Sequence, residues 1–334
     1  MIRLGYDTYS IRAFRWKAKQ LIDYAASQKL DTLQISSVGE YDNAGAEHLG
    51  AMRSYASERG ITIDAGTGCI CPTSSSYSPK EKDPVEYTVQ GLRVANAVGS
   101  RAMRCFLGSR PDRMDIERHM ESTIKVLRAV RQQALDLNVK IAIENHNGDL
   151  TASEVRTIIE TAGKEFVGSC LDLGNPFWLV EHPEVTLETL APYVVTTHVR
   201  DTAVYEHPRG CAFQWVALGD GSVDWVSLMK KYRQLVPEVP MQLEIITGRP
   251  PVVLPYLEPD FWKAFPKSDA ASFARFVALV KSGRPFEKFM VVEDGARPVV
   301  PEFAAALKEQ QRIDLERSLE VAKKQLDVGV RWRS

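Results

Sequence analysis

The sequence predicts an α/β fold: a single-domain (β/α)8 TIM barrel with a C-terminal helical extension. Short β-like runs alternate with longer amphipathic helical runs, and eight β-like runs occur within 334 residues. Such alternation is typical of a parallel sheet built from βα units, and eight units are enough to close the sheet into a barrel. A chain of this length with 44% hydrophobic residues can bury one large core.

The eight predicted strands are short apolar runs, each bounded by turn residues or by a helical pattern. They cover residues 2–6, 32–36, 62–66, 102–107, 140–144, 168–172, 195–199 and 242–246. Helical periodicity between them is clearest over residues 18–27, 85–98, 115–137 and 224–235. The barrel body is therefore expected over residues 1–248.

The pattern changes after the eighth strand. Residues 249–262 are too rich in proline for a helix or a central strand, yet their bulky apolar groups should not lie in water. We expect a structured loop over the barrel mouth. Two helices are expected next, over 270–281 and about 302–325, and one of them closes the outer ring while the other covers the site or meets a partner. Residues 249–334 are thus expected to belong to the same single domain as the barrel.

Composition restricts the function. The chain has 42 Lys and Arg against 43 Asp and Glu, so its overall charge favours neither DNA nor an anionic membrane, and a small, weakly charged ligand fits better. The start lacks a signal-like apolar segment and no run of about 18 apolar residues follows, which predicts a cytoplasmic protein. No glycine-rich dinucleotide or P-loop motif follows a strand, so NAD chemistry is not expected. The cysteines lack a C-x-x-C pair and are expected to be structural thiols: Cys69, Cys71, Cys105, Cys170 and Cys211.

Four consecutive predicted strands end in groups that bind cations. Strand five ends IAIENH, strand six CLDLGN, strand seven TTHVRD and strand eight QLEII, which gives Glu144, Asp172, His198 and Glu244. Neighbouring strands lie roughly 5 Å apart, so these side chains can converge on one point. Three carboxylates and an imidazole suit one divalent cation, Mn²⁺ first, with Mg²⁺, Co²⁺ or Zn²⁺ as alternatives. Independent ion pairs to Lys or Arg are the competing explanation.

Such a site has a chemical rationale. A C–H bond beside a carbonyl breaks at useful rates when a metal polarises the carbonyl and a positioned base takes the proton. Returning the proton to the neighbouring carbon isomerises the substrate, and returning it to the opposite face epimerises it. Loss of a leaving group from the β carbon eliminates instead. The sequence therefore predicts proton transfer next to a carbonyl and leaves these three outcomes open.

Two residues beside the predicted ligands are candidates for contact with the substrate. His146 follows Glu144 by two residues and is expected to be a second base, a hydroxyl binder or a hydrogen-bonded support. Arg200 follows His198 by two residues and would either bind a substrate oxygen or pair with Asp201 or with the last of the ligands.

Polar groups also end the first strands. Tyr6, Gln34 and the stretch 66–68 finish strands one to three and would line the pocket. Tyr6 and Gln34 are equally compatible with being satisfied polar groups of the core.

The strings IENH, CLDLGN and THVRD, the turn GDGSVDW at 219–225 and the strand-eight Glu244 resemble the sugar phosphate isomerase/epimerase family, the xylose-isomerase-like TIM barrels. The resemblance spans residues 1–248. It implies a sugar or keto-sugar substrate and one divalent metal on Glu144, Asp172, His198 and Glu244. It also implies that Glu144 and Glu244 are the catalytic acid/base pair.

One position departs from that pattern. Several epimerases of this type carry a histidine three residues after the metal aspartate, and here that position is Asn175, which can orient a hydroxyl group but cannot take a proton. His146 then becomes the more plausible base. This arrangement resembles the larger subunit of the C-glycoside deglycosidases, which implies a lyase that eliminates the aglycone from 3-oxo-glycosides beside a small β-rich partner. Otherwise we expect a homo-oligomer.

Two further functions are weighed against these. An apurinic-site endonuclease shares this barrel but needs several metal ions bound largely by histidines. Only two of the six histidines of this chain end predicted strands, which is too few for such a site. The balanced charge also provides no basic stripe for nucleic acid. A non-catalytic sugar-binding barrel is the other alternative, because a fold alone does not establish an activity.

Overall fold

The computed structural model describes residues 1–78, 83–287 and 300–333, and it confirms the predicted (β/α)8 barrel. Eight parallel strands form the barrel in the order β10-β1-β2-β3-β4-β5-β6-β7. The strands in chain order are β1 (Leu4–Asp7), β2 (Thr32–Ile35), β3 (Thr62–Cys69), β4 (Ala102–Phe106), β5 (Lys140–Glu144), β6 (Val167–Asp172), β7 (Val194–His198), β8 (Asp201–His207), β9 (Gly210–Val216), β10 (Met241–Leu243) and β11 (Val252–Leu254). A parallel bridge between Val199 and Leu243 closes the barrel beyond β7.

Helices surround the barrel. They are α1 (Ala18–Ser27), α2 (Ala46–Glu58), α3 (Pro84–Ala97), α4 (Ile116–Ala129), α5 (Arg131–Asp136), α6 (Ala152–Ala162), α7 (Pro183–Leu190), α8 (Trp225–Leu235), α9 (Ala270–Ser282) and α10 (Pro301–Lys324). The single helix predicted over 115–137 is wrong in one respect, because the backbone of Val130 (φ −100°, ψ 6°) separates α4 from α5. Local chemistry sets the ends: Asp83 accepts the amides of Val85 and Glu86, and Pro84 opens α3.

A β-hairpin that the sequence analysis did not predict follows β7. Strands β8 and β9 pair antiparallel, and β11 adds to β9 as a third strand. The expected loop at 249–262 is therefore partly regular structure, with β11 followed by the 3-10 helix Pro259–Ala264. This sheet and α9 enclose a second apolar core, which explains where the bulky groups of the segment are buried. Its fully or almost fully buried members include Phe177, Phe213 and Phe276.

The C-terminal residues return to the barrel body. Helix α10 packs on the 3-10 helix Thr8–Phe14, where the amide of Ala13 donates to Gln311 Oε1 at 2.9 Å. Beyond α10, the Asp31 carboxylate accepts the backbone amides of Val330 and Arg331 as well as that of Leu4 in β1. The part of the chain that the structure describes contains no helix long and apolar enough to cross a membrane.

Candidate metal centre and active site

The four predicted ligands meet at the C-terminal end of the barrel. Glu144, Asp172 and His198 are the last residues of β5, β6 and β7, and Glu244 directly follows β10. One ligand atom from each residue lies within 4.8 Å of the others, and all four side chains are buried. His198 Nδ1 faces the carboxylates, at 3.2 Å from Glu144 Oε1 and 3.5 Å from Glu244 Oε2. The arrangement follows from strand parity, since the adjacent strand ends direct alternate residues into the barrel.

The charges in this buried space suit a divalent cation. Four carboxylates face two guanidiniums; the groups are Asp7, Glu144, Asp172, Glu244, Arg104 and Arg200. Against the effect of burial, Glu244 and Glu144 raise the pKa of His198 well above its usual value, so without a cation a proton on His198 offsets part of the negative charge. A metal-bound imidazole is neutral, and two negative charges then remain. Buried charge without compensation is costly, and a cation of charge two would balance it. Cys170 also lies near Glu144 and His198, but burial raises the pKa of its thiol well above the usual value. Glu144, Asp172, His198 and Glu244 are therefore a better candidate ligand set for a metal ion than the set that includes Cys170.

Arg104 of β4 holds one oxygen of Glu144. Its Nε lies 2.5 Å from Glu144 Oε2, its Nη2 contacts the same oxygen, and its Nη1 donates to the carbonyl of Thr67 at 3.2 Å. Burial alone would raise the pKa of Glu144, but Arg104 and His198 outweigh it and hold that pKa well below its usual range. Glu144 therefore stays ionised and keeps Oε1 directed at the ligand cluster.

Arg200 of the THVRD string pairs with two of the ligands. Its Nη2 contacts Asp172 Oδ2 and lies 2.7 Å from Glu244 Oε2, while its Cζ lies 4.5 Å from the ring centroid of Trp215. The predicted pairing with Glu244 is present. Asp201 instead accepts amides of the 219–221 turn, so it does not pair with Arg200. The buried Nε of Arg200 has no hydrogen-bond partner among the described residues.

Asn175 supports the ligands. Its Nδ2 donates to Asp172 Oδ2 at 2.8 Å and to Glu144 Oε1 at 3.2 Å, and its backbone amide donates to Asp172 Oδ1 at 2.7 Å. Burial raises the pKa of Asp172 to about 7 against the opposing effect of Arg200. The Oδ1 atom of Asn175 is buried without a donor in the described part of the chain, so this acceptor is unsatisfied there.

His146 lies just beyond the ligand cluster. Its ring stacks on Phe106 with centroids 4.0 Å apart, and Nδ1 lies 2.7 Å from the carbonyl oxygen of Gly108. A carbonyl only accepts, so Nδ1 carries the proton and Nε2 is the basic nitrogen. Nε2 makes no hydrogen bond to the described residues. Burial lowers the pKa of His146 to about 4, with Glu144 opposing that effect.

The first two strands correct one expectation and reveal a residue that the sequence analysis missed. Tyr6 does not line the pocket, because its side chain faces α1 and its hydroxyl donates to the carbonyl of Leu21 at 3.2 Å. Side chains alternate along a strand, so Asp7 faces inward instead, with Oδ2 3.4 Å from His198 Nε2. Gln34 does face inward, but its Oε1 contacts His198 Nε2 and its Nε2 donates to Thr196, so it supports the histidine.

Comparison with known proteins fits this geometry. The sequence profile of the xylose isomerase-like TIM barrel family matches residues 18–260, so the chain belongs to that family. Among curated proteins, the 3-oxo-isoapionate decarboxylase of Pectobacterium atrosepticum is 21% identical over 242 residues, which is 69% of this chain and 80% of that protein.

Solved sugar epimerases share the fold. The D-psicose 3-epimerase of Clostridium cellulolyticum H10, solved with D-tagatose, has a TM-score of 0.59 at 15% identity, covering 96% of this chain and 99% of its own. An L-ribulose 3-epimerase has a TM-score of 0.56 at 15% identity, covering 98% and 97%. The IolI protein, solved with a zinc atom, has a TM-score of 0.56 at 14% identity, covering 84% and 98%. At these identities the likeness shows the fold alone.

Proposed function

We propose that this member of the xylose isomerase-like TIM barrel family moves a proton next to the carbonyl of a sugar or keto-sugar, with one divalent cation held by Glu144, Asp172, His198 and Glu244. The observation that carries the proposal is the convergence of these ligand atoms within 4.8 Å at the ends of neighbouring barrel strands. Sugar epimerases among the structural neighbours support it. Mn²⁺ is the metal that we expect first, given the oxygen-rich donor set.

The bound cation would supply Lewis-acid polarisation of the substrate carbonyl. The residues of the chain then have separable tasks. Arg104 keeps Glu144 ionised, and Arg200 holds Glu244 and Asp172, so the cluster is positioned before the substrate arrives. Asn175 Oδ1 and Arg200 Nε are buried without partners among the described residues, and we propose that they bind substrate hydroxyls.

We propose His146 as the base. Arg104 and His198 hold the pKa of Glu144 well below its usual range, which makes this glutamate a poor proton acceptor. Glu244 is ion-paired to Arg200, and both glutamates point at the ligand cluster, which favours their use as ligands. His146 has its Nδ1 proton fixed on the Gly108 carbonyl, so Nε2 is left to take the substrate proton. The two-glutamate acid/base pair that the family resemblance implies, Glu144 and Glu244, is the alternative.

A second candidate is cleavage of a bond beside a 3-oxo group. Asn175 in place of a histidine favours it, because it leaves the site without a second imidazole to return a proton on the opposite face. The curated relative is named as a decarboxylase of a 3-oxo compound, and decarboxylation also breaks a bond next to a carbonyl. If the resemblance to the C-glycoside deglycosidases holds, the chain would be the catalytic subunit of a complex and would eliminate the aglycone from 3-oxo-C-glycosides.

The test is incubation of the metal-loaded protein with keto-sugars and with 3-oxo-glycosides in D₂O, followed by NMR. Deuterium incorporation without fragmentation supports isomerisation or epimerisation, and aglycone release supports the lyase. If neither deuterium incorporation nor aglycone release is observed, the proposed proton transfer next to a carbonyl is refuted. His146→Gln should slow the reaction by roughly 10² to 10⁴ while metal binding persists, whereas Glu244→Gln should lose both.

For partners, we propose a small-molecule sugar or glycoside substrate and no nucleic acid. We propose a homo-oligomer for the isomerase and a hetero-oligomer with a small β-rich subunit for the C-glycoside lyase. Light scattering of the purified chain tests the first assembly directly. A monomer that becomes active only with a second chain would favour the lyase assembly.

A further inference from the structure

The rim of the barrel mouth carries a guanidinium without a counter-ion. Arg110 opens the 3-10 helix Arg110–Asp115 that follows β4. Among the described residues no carboxylate lies within ion-pair distance of it, whereas Arg113 in the same helix is held by Glu154. Although the residue is exposed to solvent, partial burial of the guanidinium lowers the pKa of Arg110, because some hydration is lost without a carboxylate in exchange.

The guanidinium of Arg110 makes a cation–π contact with an indole that also lacks a hydrogen-bond partner. Its Cζ lies 5.7 Å from the ring centroid of Trp178. A contact with the ring face leaves the guanidinium N–H groups available for hydrogen bonds. The Nε1 atom of Trp178 is buried and has no acceptor in the described part of the chain. Arg110 and Trp178 therefore offer several donors and no acceptor.

Gly148 makes room for this pair. Its φ is +84°, and a Cβ there would lie 3.1 Å from Arg110 Cβ and 3.3 Å from Trp178 Cβ. The backbone amide of Arg110 also donates to the carbonyl of Asn147 at 2.9 Å. Gly148 follows His146 by only two residues. Arg110 and Trp178, which contact the backbone at 147–148, therefore lie beside the proposed base.

A chain of contacts links the pair to the metal centre. Trp178 and Trp215 make an edge-on contact with ring centroids 5.9 Å apart. Trp215 lies under Arg200, whose guanidinium contacts the carboxylates of Asp172 and Glu244. The pair and the ligand cluster therefore belong to the same end of the barrel.

We propose that Arg110 and Trp178 bind a carboxylate of the substrate, so that the substrate is a sugar acid. The inference rests on the proposed function, in that the carbonyl end of the same molecule occupies the metal centre. A planar carboxylate takes two parallel N–H groups from one guanidinium. A phosphate has three acceptor oxygens and nearly two charges, which exceed what this pair satisfies.

The experiment measures binding by calorimetry to the Mn²⁺-loaded protein. The probes are 5-keto-D-gluconate, the neutral ketose D-fructose, and D-fructose 6-phosphate. The wild type should bind the keto acid roughly tenfold to a hundredfold more tightly than fructose. Arg110→Gln should remove that preference and leave fructose affinity unchanged, and Trp178→Phe should reduce it. Arg101→Gln, at the opposite end of β4 and exposed, is the matched control and should keep it.

Several outcomes would overturn the proposal. They are a wild type without preference for the keto acid, a preference that survives Arg110→Gln, and tighter binding of fructose 6-phosphate than of the acid. Circular dichroism should show the Arg110→Gln protein folded, since Arg110 is at a solvent-exposed position. The binding assay needs no turnover, so it is independent of the test of the proposed function. If the preference for the keto acid depends on Arg110 but the protein catalyses no proton exchange, the carboxylate site stands and the proposed function is refuted. If the protein catalyses proton exchange but shows no preference for the keto acid, the proposed function stands and the carboxylate site is refuted.

Discussion

Arg104 Nε and Glu144 Oε2 lie 2.5 Å apart inside the barrel, with the Glu144 side chain fully buried. The ion pair joins Arg104 of β4 to the last residue of β5, so it connects the barrel framework to the candidate metal centre. It has two consequences. Glu144 stays ionised whether or not a cation is bound. When Arg104 is removed, the buried charge of Glu144 destabilises the folded state.

Arg104→Met should destabilise the metal-free protein by about 3–5 kcal/mol, because a buried carboxylate loses its cation. Urea unfolding in the presence of a chelator measures the loss. Adding Glu144→Gln to Arg104→Met should recover much of it, since the uncompensated charge is then gone. The exposed pair Arg131 and Glu165 is the control, and Arg131→Met should cost less than about 1 kcal/mol. Equal losses at both arginines would contradict the assigned role of Arg104.

Removal of a carboxylate ligand should abolish stoichiometric metal binding. We expect Asp172→Asn and Glu244→Gln each to weaken Mn²⁺ binding by roughly a hundredfold or more, measured by calorimetry and metal analysis. Cys170→Ser should leave the affinity unchanged, because the thiol lies near the cluster but stays protonated. If the wild type takes up no Mn, Mg, Co or Zn in stoichiometric amount, a non-catalytic sugar-binding barrel becomes the better interpretation.

The sequence was sufficient for the barrel and for the convergence of Glu144, Asp172, His198 and Glu244, because both depend on repetition. Each apolar run ends at the same edge of the sheet, so the polar residues that end neighbouring runs, such as Glu144 and Asp172, are brought together. The hairpin was missed because its strands are interrupted by the Pro208-Arg209 turn and lie inside a βα connection where a helix is the usual continuation. For Tyr6 the sequence left a pocket position and a core position open, and the structure shows the core position. The pocket position was considered because β1 was expected to end one residue early, and a shift of one residue exchanges the two faces of a strand.

Asp7 was missed because of this one-residue shift, and we expect it to increase the affinity of the site for a metal ion. Its Oδ2 lies 3.4 Å from His198 Nε2, and its Oδ1 is held by Ser36, which lies 2.5 Å away, and by the amide of Tyr9. Gln34 Oε1 is the hydrogen-bond partner of His198 Nε2, and the negative charge of Asp7 beside that nitrogen raises the basicity of the imidazole. Asp7→Asn should therefore weaken Mn²⁺ binding by about 10- to 100-fold.

Calorimetry on the Asp7→Asn protein checks this, and Asp7→Glu should recover part of the affinity. Asp31→Asn is the control at the other end of the barrel, where Asp31 accepts only backbone amides near the C-terminus and β1. Asp31→Asn should lower stability without changing metal affinity. Unchanged Mn²⁺ affinity in Asp7→Asn would show that Asp7 does not act on His198.

Glu181, which lies away from the metal centre, should make stability fall as pH rises. Burial raises its pKa to about 7, although Thr186 Oγ1 and the amide of Ala152 donate to its carboxylate. The unfolded chain ionises this group near pH 4.5, so the folded state loses stability between about pH 4.5 and pH 7 and no more above that range. Each pKa unit corresponds to about 1.4 kcal/mol, which sets an upper limit of roughly 3 kcal/mol.

Urea unfolding of the wild type and of Glu181→Gln at about pH 5 and about pH 8 measures the effect. The substitution removes the ionisable group, so the variant should gain stability relative to the wild type as the pH is raised. Glu121→Gln, at an exposed position on α4, is the control and should follow the wild-type pH dependence. Parallel curves for the wild type and Glu181→Gln would mean that Glu181 ionises in the folded state as readily as in the unfolded chain.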